Sequence, residues 1–369
     1  MELTIVDKNT YFKNYIVDTY KSLIWTDRYN KSGDFELVVT ASEENFDIFQ
    51  NGNYIMSDIS DHTMIIEDLQ VTTDVEAGAF IIITGRSVES ILDRRIVWEQ
   101  TTITKNTGFV NAISKLLSDS ITNPSINTRK ISNFSNTISV NDPALYNDQL
   151  KIDKDMQFTG DNLYDVIEKI CNIYNIGFEI RFYTNPNETP YNFELQLYRG
   201  SDRSYDQNTL PYIEFSPDFD NLINSDYKLV TSIYKNVTLV AGEGEGIDRT
   251  TVSINSDVYS GLYRRELYTD ARDLSSNVDG GTLTPEEYQD VLINRGLSKL
   301  TETRVESNFD AKVDHTQPYI YGQDYNMGDI VQFQNQFGIS YRVRVVESIY
   351  SESENGIEQY PTFEVIEED

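Results

Sequence analysis

Four oxygen-bearing residues late in the chain have the spacing of a calcium loop. Ser275, Asn277 and Asp279 alternate, Gly280 supplies a sharp turn, and Glu286 closes the set with a carboxylate. Serine stands where such loops begin with aspartate, and no clear helix precedes it, so an ordinary loop leading into a helix cap competes with the metal site. No cofactor is expected. A second loop, Gly242-Glu243-Gly244-Glu245-Gly246, lacks the lysine and Ser/Thr of a phosphate-binding loop. Its two glutamates repel phosphate, and an acidic hairpin tip is the better reading. Nucleophilic chemistry finds no setting either. Cys171, the single cysteine, lies in an apolar run with Val166, Ile167 and Ile170, where a buried structural thiol is expected. The two histidines, His62 beside Asp61 in an apparent surface turn and His315, have no nucleophile motif near them. The chain reads as non-enzymatic.

Charge narrows the partners. Sixty acidic residues face 30 basic ones, a net charge of −30 that repels free nucleic acid and anionic membrane. The basic pairs Arg94-Arg95 and Arg264-Arg265 are isolated and suit ion pairs inside a protein interface. With 25 tyrosines, 17 phenylalanines and 39% hydrophobic residues spread along 369 positions, the chain has material for two to four packed units. One cysteine excludes an intrachain disulfide. The N-terminus lacks a signal-peptide pattern and Phe80–Ile83 is the longest aliphatic run, so a soluble protein made inside a cell, without a membrane, is expected.

The elements that position these residues are mostly strands. Ser22 to Val39 reads as strand, turn, strand: Leu23 and Trp25 share a face, Asn30-Lys31-Ser32-Gly33 turns with positive φ expected at the glycine, and Phe35, Leu37 and Val39 alternate. Asp324 to Tyr350 repeats the style, with a turn at Met327-Gly328-Asp329 and alternation at Val331, Phe333, Tyr341, Val343 and Val345. Helices are expected at Val88–Leu92, Gly108–Leu117 and Asp161–Tyr174, the last capped by Asp161 and ended by Gly177. Thr284-Pro285-Glu286-Glu287 opens another, burying Tyr288, Val291, Leu292 and Leu300. Two strands are expected around Gly242–Gly246. Residues 118–154 are polar and read as loops and edge strands without a core. The fold class is α+β, β-dominated and multi-domain, with a few short helices.

Seven segments, in order, resemble the tail hub proteins of long-tailed phages of Gram-positive bacteria, themselves similar to the trimeric baseplate hub of contractile-tailed phages. They are IWTDRYNKSGDFEL (Ile24–Leu37), ITGRSVESILDRRI (Ile83–Ile96), LYRGSDRS (Leu197–Ser204), EFSPDFDNL (Glu214–Leu222), KNVTLVAGEGEGIDRT (Lys235–Thr250), SGLYRRELYTDARDL (Ser260–Leu274) and DYNMGDIVQFQNQFGISYRVRVVESI (Asp324–Ile349). The resemblance implies two tail-tube-like β-barrel domains with accessory β domains. Residues 1–160 would hold the first barrel with an inserted accessory domain and short helices. Residues 161–369 would hold the second, with its accessory domain and a C-terminal hairpin. It implies a homotrimeric ring at the tail tip of the virion, assembled in the bacterial host cytoplasm. Its partners would be the tube, distal tail and tape measure proteins above and a tip, fibre or lytic protein below, with DNA passing through unbound. Trp25, Arg28, Tyr29, Gly33 and Phe35 match the family's first hairpin, and Gly328 and Asp329 its last. Because the sequence stops at Asp369, lytic and adhesive functions are expected on other chains. Two competing readings are a receptor- or carbohydrate-binding β protein and a tail-associated cell-wall hydrolase.

Overall fold

Period-two alternation in the first hairpin becomes the antiparallel strands Ser22–Arg28 and Asp34–Thr40. Leu23 faces Leu37 and Trp25 faces Phe35; all four are buried, while Ile24 and Glu36 point outward. The computed structural model describes residues 1–74, 78–184, 190–219, 221–278, 281–304, 306–313, 319–335, 337–338 and 340–366.

The hairpin lies inside a 13-stranded sheet. On one side follow Gly78–Ser87, Met64–Asp74, Tyr54–Ser57, Leu3–Val6 and the edge strand Lys13–Val17. On the other side Ser22–Arg28 pairs with the end of the 14-residue strand Ser340–Ser353. Beyond it lie Gly356–Val365, Glu306–Val313 and the far edge, Leu222–Val230. No sheet among the described residues closes on itself. The β-dominated α+β class is observed; the described strands do not form separate barrels, because one strand carries pairing from one half of the chain into the other.

That strand is Ser340–Ser353. Residues 340–344 pair with Ile330–Gln334, and residues 347–353 with Ser22–Arg28. Between the two sets its register against Gly356–Val365 shifts at Val345/Glu347. A bulge of this kind bends a strand and re-aims its side chains. Val343 and Val345 enter one core with Phe215, Phe333 and Phe363, whereas Tyr350 enters another with Trp25, Phe35 and Leu37.

A third core gathers the helices Phe109–Leu117 and Leu163–Ile173 with the strands Gly177–Phe182 and Phe193–Tyr198. It also takes Val88, Ile91 and Leu92 from a 3-10 helix. It corrects the reading of residues 118–154: Ile121, Phe134, Leu145 and Ile152 are buried in it. They are single anchors about ten positions apart, too sparse to show a period. The cap of Leu163–Ile173 is Asn162, whose side chain accepts from the N–H groups of Tyr164 and Asp165. Asp161 instead accepts from Thr159 N–H. The helix ends before Asn175, which takes the left-handed φ of 53°, and Gly177 opens the next strand.

The fourth core packs the helix Pro285–Thr301 on the sheet Thr251–Ile254, Val237–Ala241, Glu266–Asp270. Thr284 and Glu287 form the expected capping box, Tyr288, Val291 and Leu292 are buried, and Leu300 packs partly buried beside them. Gly242–Gly246 connects two strands of this sheet, while Tyr227 belongs to the large one.

The register makes a measurable contrast. Leu37→Ala, fully buried between Leu23 and Ile83, is expected to cost about 2–5 kcal/mol in urea unfolding. Ile24→Ala, on the outer face and 41% exposed, should cost about 0.5 kcal/mol or less. The reverse order would mean that the hairpin is slipped by one residue.

Candidate functional site

The two hairpins meet at Tyr29, the first residue beyond Ser22–Arg28. Its N–H donates to the carbonyl of Val346, at the bulge, over 3.0 Å. Its own carbonyl accepts from Phe178 N–H at 3.3 Å and from the Tyr198 hydroxyl at 3.1 Å. Its hydroxyl donates to the carbonyl of Asn175 at 3.1 Å. The ring stands edge-on to Tyr198, with the Arg344 guanidinium 5.2 Å from its centroid. Burial pushes the phenol pKa up, so it stays a donor.

Gly328 completes the contact. Its φ is +83°, and a Cβ there would lie 2.3 Å from the Tyr29 ring, so both conformation and space require glycine. Its N–H donates to Val345 and its carbonyl accepts from Arg344. Asp329, buried next to it, accepts from Ser201 N–H at 2.6 Å, Arg203 Nε at 2.9 Å and Asn326 N–H at 3.0 Å. Arg28 bridges Glu347 at 2.6 Å and Asp34 at 2.5 Å, tying the long strand to the hairpin.

Of the residues read from sequence, Arg28, Tyr29, Gly328 and Asp329 thus come together, and Trp25 and Phe35 pack 6.1 Å apart in the adjoining core. Gly33 is outside the left-handed region expected of it. It is needed for close approach, since a Cβ there would sit 2.1 Å from the Thr26 carbonyl oxygen. The turn is docked onto the helical core through Ser32 N–H, which donates to the Tyr164 hydroxyl at 2.8 Å.

His62 is the main correction. It is no surface residue but 8% exposed, facing Glu89 across 3.5 Å from Nδ1 to Oε1. Glu89 is fully buried and accepts from Ile180 N–H at 2.7 Å. Asp27, also buried, accepts from Trp25 Nε1 at 3.0 Å and from the Ser60 hydroxyl at 2.8 Å. Burial opposes charge on His62, but the carboxylates of Asp27 and Glu89 outweigh it and push its pKa up to about 10. Burial likewise works against the Glu89 carboxylate, and His62 holds it below its ordinary value. Burial raises Asp27 and Glu179 nearby. Sequence reading missed Glu89 and Arg344; the available signal was a charged residue inside an apolar pattern, Val88-Glu89-Ser90-Ile91-Leu92 and Val343-Arg344-Val345.

The calcium-loop residues are used locally. The Ser275 hydroxyl accepts from Asn277 N–H, the Asn277 side-chain oxygen accepts from Thr282, and Glu286 lies exposed in the first turn of its helix. Asp279, Gly280 and His315 lie outside the described residues. Among the described residues no group of three or more His, Cys, Asp or Glu side chains is placed to hold a metal ion. Cys171 is buried, and burial pushes its thiol pKa up. The arginine pairs bond within the chain: Arg95 to the carbonyls of Arg94 and Arg129, and Arg264 to Glu266.

Residues 2–363 match the family model for siphovirus ReqiPepy6 Gp37-like protein. The chain belongs to that family. Its fold is shared by solved phage tail proteins. The prophage tail protein gp18 from Listeria monocytogenes EGD-e has 13% identity and a TM-score of 0.53, covering 99% of this chain and 94% of its own. The tail protein from Neisseria meningitidis MC58 has 12% identity and a TM-score of 0.55, covering 99% and 96%. The 43 kDa tail protein of prophage MuSo2 from Shewanella oneidensis has 12% identity and a TM-score of 0.57, covering 99% and 98%. Identities this low speak for the fold alone. No curated protein matches the chain.

In this Gp37-like protein, Gly328→Ala is expected to destabilise by about 1–3 kcal/mol through overpacking against Tyr29; unchanged urea unfolding would mean that the contact is loose. The imidazolium contributes its full stability below its unfolded value of 6.5 and loses it as pH rises through about 10. Glu89 contributes above its ordinary 4.5 and loses that as pH falls. His62→Ala should therefore cost about 3–5 kcal/mol near pH 7 and flatten the decline in stability between pH 7 and 10. An equally stable variant with the parent's pH profile would refute the ion pair.

Proposed function

We propose that this protein is the structural hub of a phage tail tip, a homotrimer whose ring joins a sixfold tail tube and distal tail protein to a threefold tip. The observation that carries this reading is the open sheet. Lys13–Val17 and Leu222–Val230 lie at the two ends of its main run of strands, each pairing on one side only among the described strands. A sheet with a free edge at either end suits head-to-tail contact between copies, and such contact closes into a ring when each copy turns by a third of a circle.

The two hairpins of like pattern then stand for two tube-like units per chain, one in residues 1–160 and one in 161–369, giving six around a trimer. The seven residues from Trp25 to Asp329 that match the hub pattern act structurally, holding these units in register. The reading places the protein in the virion, with tube, distal tail and tape measure proteins on one side, a tip, fibre or lytic protein on the other, and assembly in the host cytoplasm. Net charge of −30 suits a lumen that DNA crosses without sticking; a neutral or basic inner wall in a map of the ring would remove that part. The role is non-enzymatic.

Light scattering and single-particle images of the purified protein test the proposal. A mass near three times 42.5 kDa with an open threefold ring is expected. A monomer under every condition, including with its distal tail protein added, would overturn it.

A further inference from the structure

Arg94, Arg95, Arg129 and Lys130 come together on a chain that has twice as many acids as bases. Arg95 Nε donates to the Arg129 carbonyl at 3.0 Å, and Arg129 donates to the Ile96 carbonyl at 2.7 Å. The 3-10 turn Asn127–Arg129 is thereby stapled to the stretch from Arg95 to Trp98. These bonds go to carbonyls and leave the positive charges unmatched: burial, then the guanidiniums of Arg129 and Arg94, pull the Arg95 pKa down. The acids on this stretch are engaged elsewhere, Asp93 with Arg86 and Asn162, and Glu99 with the Ser125 hydroxyl. The Arg129 guanidinium lies 5.2 Å from the centre of the Trp98 ring. Trp98 is 55% exposed, and Ile96 is exposed beside it. Tryptophan and arginine on a fixed support are the residue types that most often anchor protein interfaces.

A surface of the opposite sign stands on another core of the same chain. The helix Glu43–Ile48 is capped by Ser42, whose side chain accepts from Asn45 N–H, and Asn45 Nδ2 donates to the Thr40 carbonyl at 2.8 Å. Ile48 and Phe49 root it in the core of Trp25. Outward it presents Glu43, Glu44 and Asp47, all exposed, around Phe46, which is 45% exposed. None of these three carboxylates bonds a cation among the described residues. Cations around a half-bare tryptophan thus match carboxylates around a half-bare phenylalanine in sign, with an aromatic ring at each centre. Within one copy the two surfaces do not cover each other, since both rings are open to solvent. Charges are screened over about 8 Å at physiological salt. The net charge of −30 on each copy therefore weakens with distance, and the charges in direct contact decide where two copies can touch. A long polyanion such as nucleic acid would run from the basic patch onto acidic surface, so a short acidic segment of protein suits the patch better.

We propose that the Glu43–Asp47 knob of one copy docks on the Arg94, Arg95, Arg129 and Trp98 patch of the next. One knob and one patch per chain make a head-to-tail contact, which deepens the ring reading above and rests on it. Charge reversal tests it. Glu44→Lys with Asp47→Lys reverses the knob, and Arg94→Glu with Lys130→Glu reverses the patch. All four positions are exposed, and their side chains make no hydrogen bond or ion pair among the described residues. Circular dichroism and thermal melting check that each variant stays folded. Either reversal alone is expected to weaken association at least ten-fold in light scattering. The chain carrying all four substitutions should recover the parent's trimer, because knob and patch again differ in sign. A parent trimer that neither reversal weakens overturns this contact and leaves the hub proposal standing. Folded single reversals that weaken the trimer without recovery in the four-fold variant overturn the pairing of knob with patch. A parent that stays monomeric under every condition, including with its distal tail protein added, overturns both.

Discussion

The fold depends on one residue whose polar atoms are each committed to a different element. Tyr29 gives its N–H to the bulge at Val346, its carbonyl to Phe178 and Tyr198, and its hydroxyl to Asn175. Leaving one such buried group unpaired costs about 1–3 kcal/mol. The long strand and the helical core therefore cannot shift separately without losing a bond at Tyr29, and the Gly328 turn is held against its ring by close approach. Asp329 repeats the device, with three donors around one buried carboxylate.

Close by, charge is confined as tightly as the backbone. Asp27 precedes Tyr29 by two positions and shares the field of His62 with Glu89 and Glu179. One imidazolium against three carboxylates leaves the group short of positive charge, and burial pushes two of the acids, Asp27 and Glu179, toward their neutral forms. Hydrogen bonds offset part of the cost of burying these groups, from Ile180 N–H to Glu89 and from Trp25 Nε1 and the Ser60 hydroxyl to Asp27, while His62 Nδ1 and Glu89 Oε2 rely on charge attraction alone.

Both hairpins were legible because their alternation is local: Leu23, Trp25, Phe35 and Leu37 carry a period of two within a few residues of a polar turn. The helix at Pro285 was legible from its capping box. His62 was misread because Asp61 beside it suggests solvent, while the residues that bury it come from Glu89 and Glu179, far along the chain. Nothing in residues 118–154 repeats, so its four buried anchors left no trace. The meeting of Tyr29 with Gly328 was invisible for the same reason; sequence gave two similar motifs, and only pairing across the whole chain shows that they touch.

The joint between Ser22–Arg28 and Ser340–Ser353 has a consequence for synthesis. Arg28 and its partner Glu347 are 319 positions apart, so the first hairpin leaves the ribosome with one edge bare until nearly the whole chain has followed. Contacts of such separation form slowly, and exposed strand edges invite aggregation while they wait. Completion of the large sheet is thus a late event, and the net charge of −30 works against sticking between nascent chains while that edge is bare.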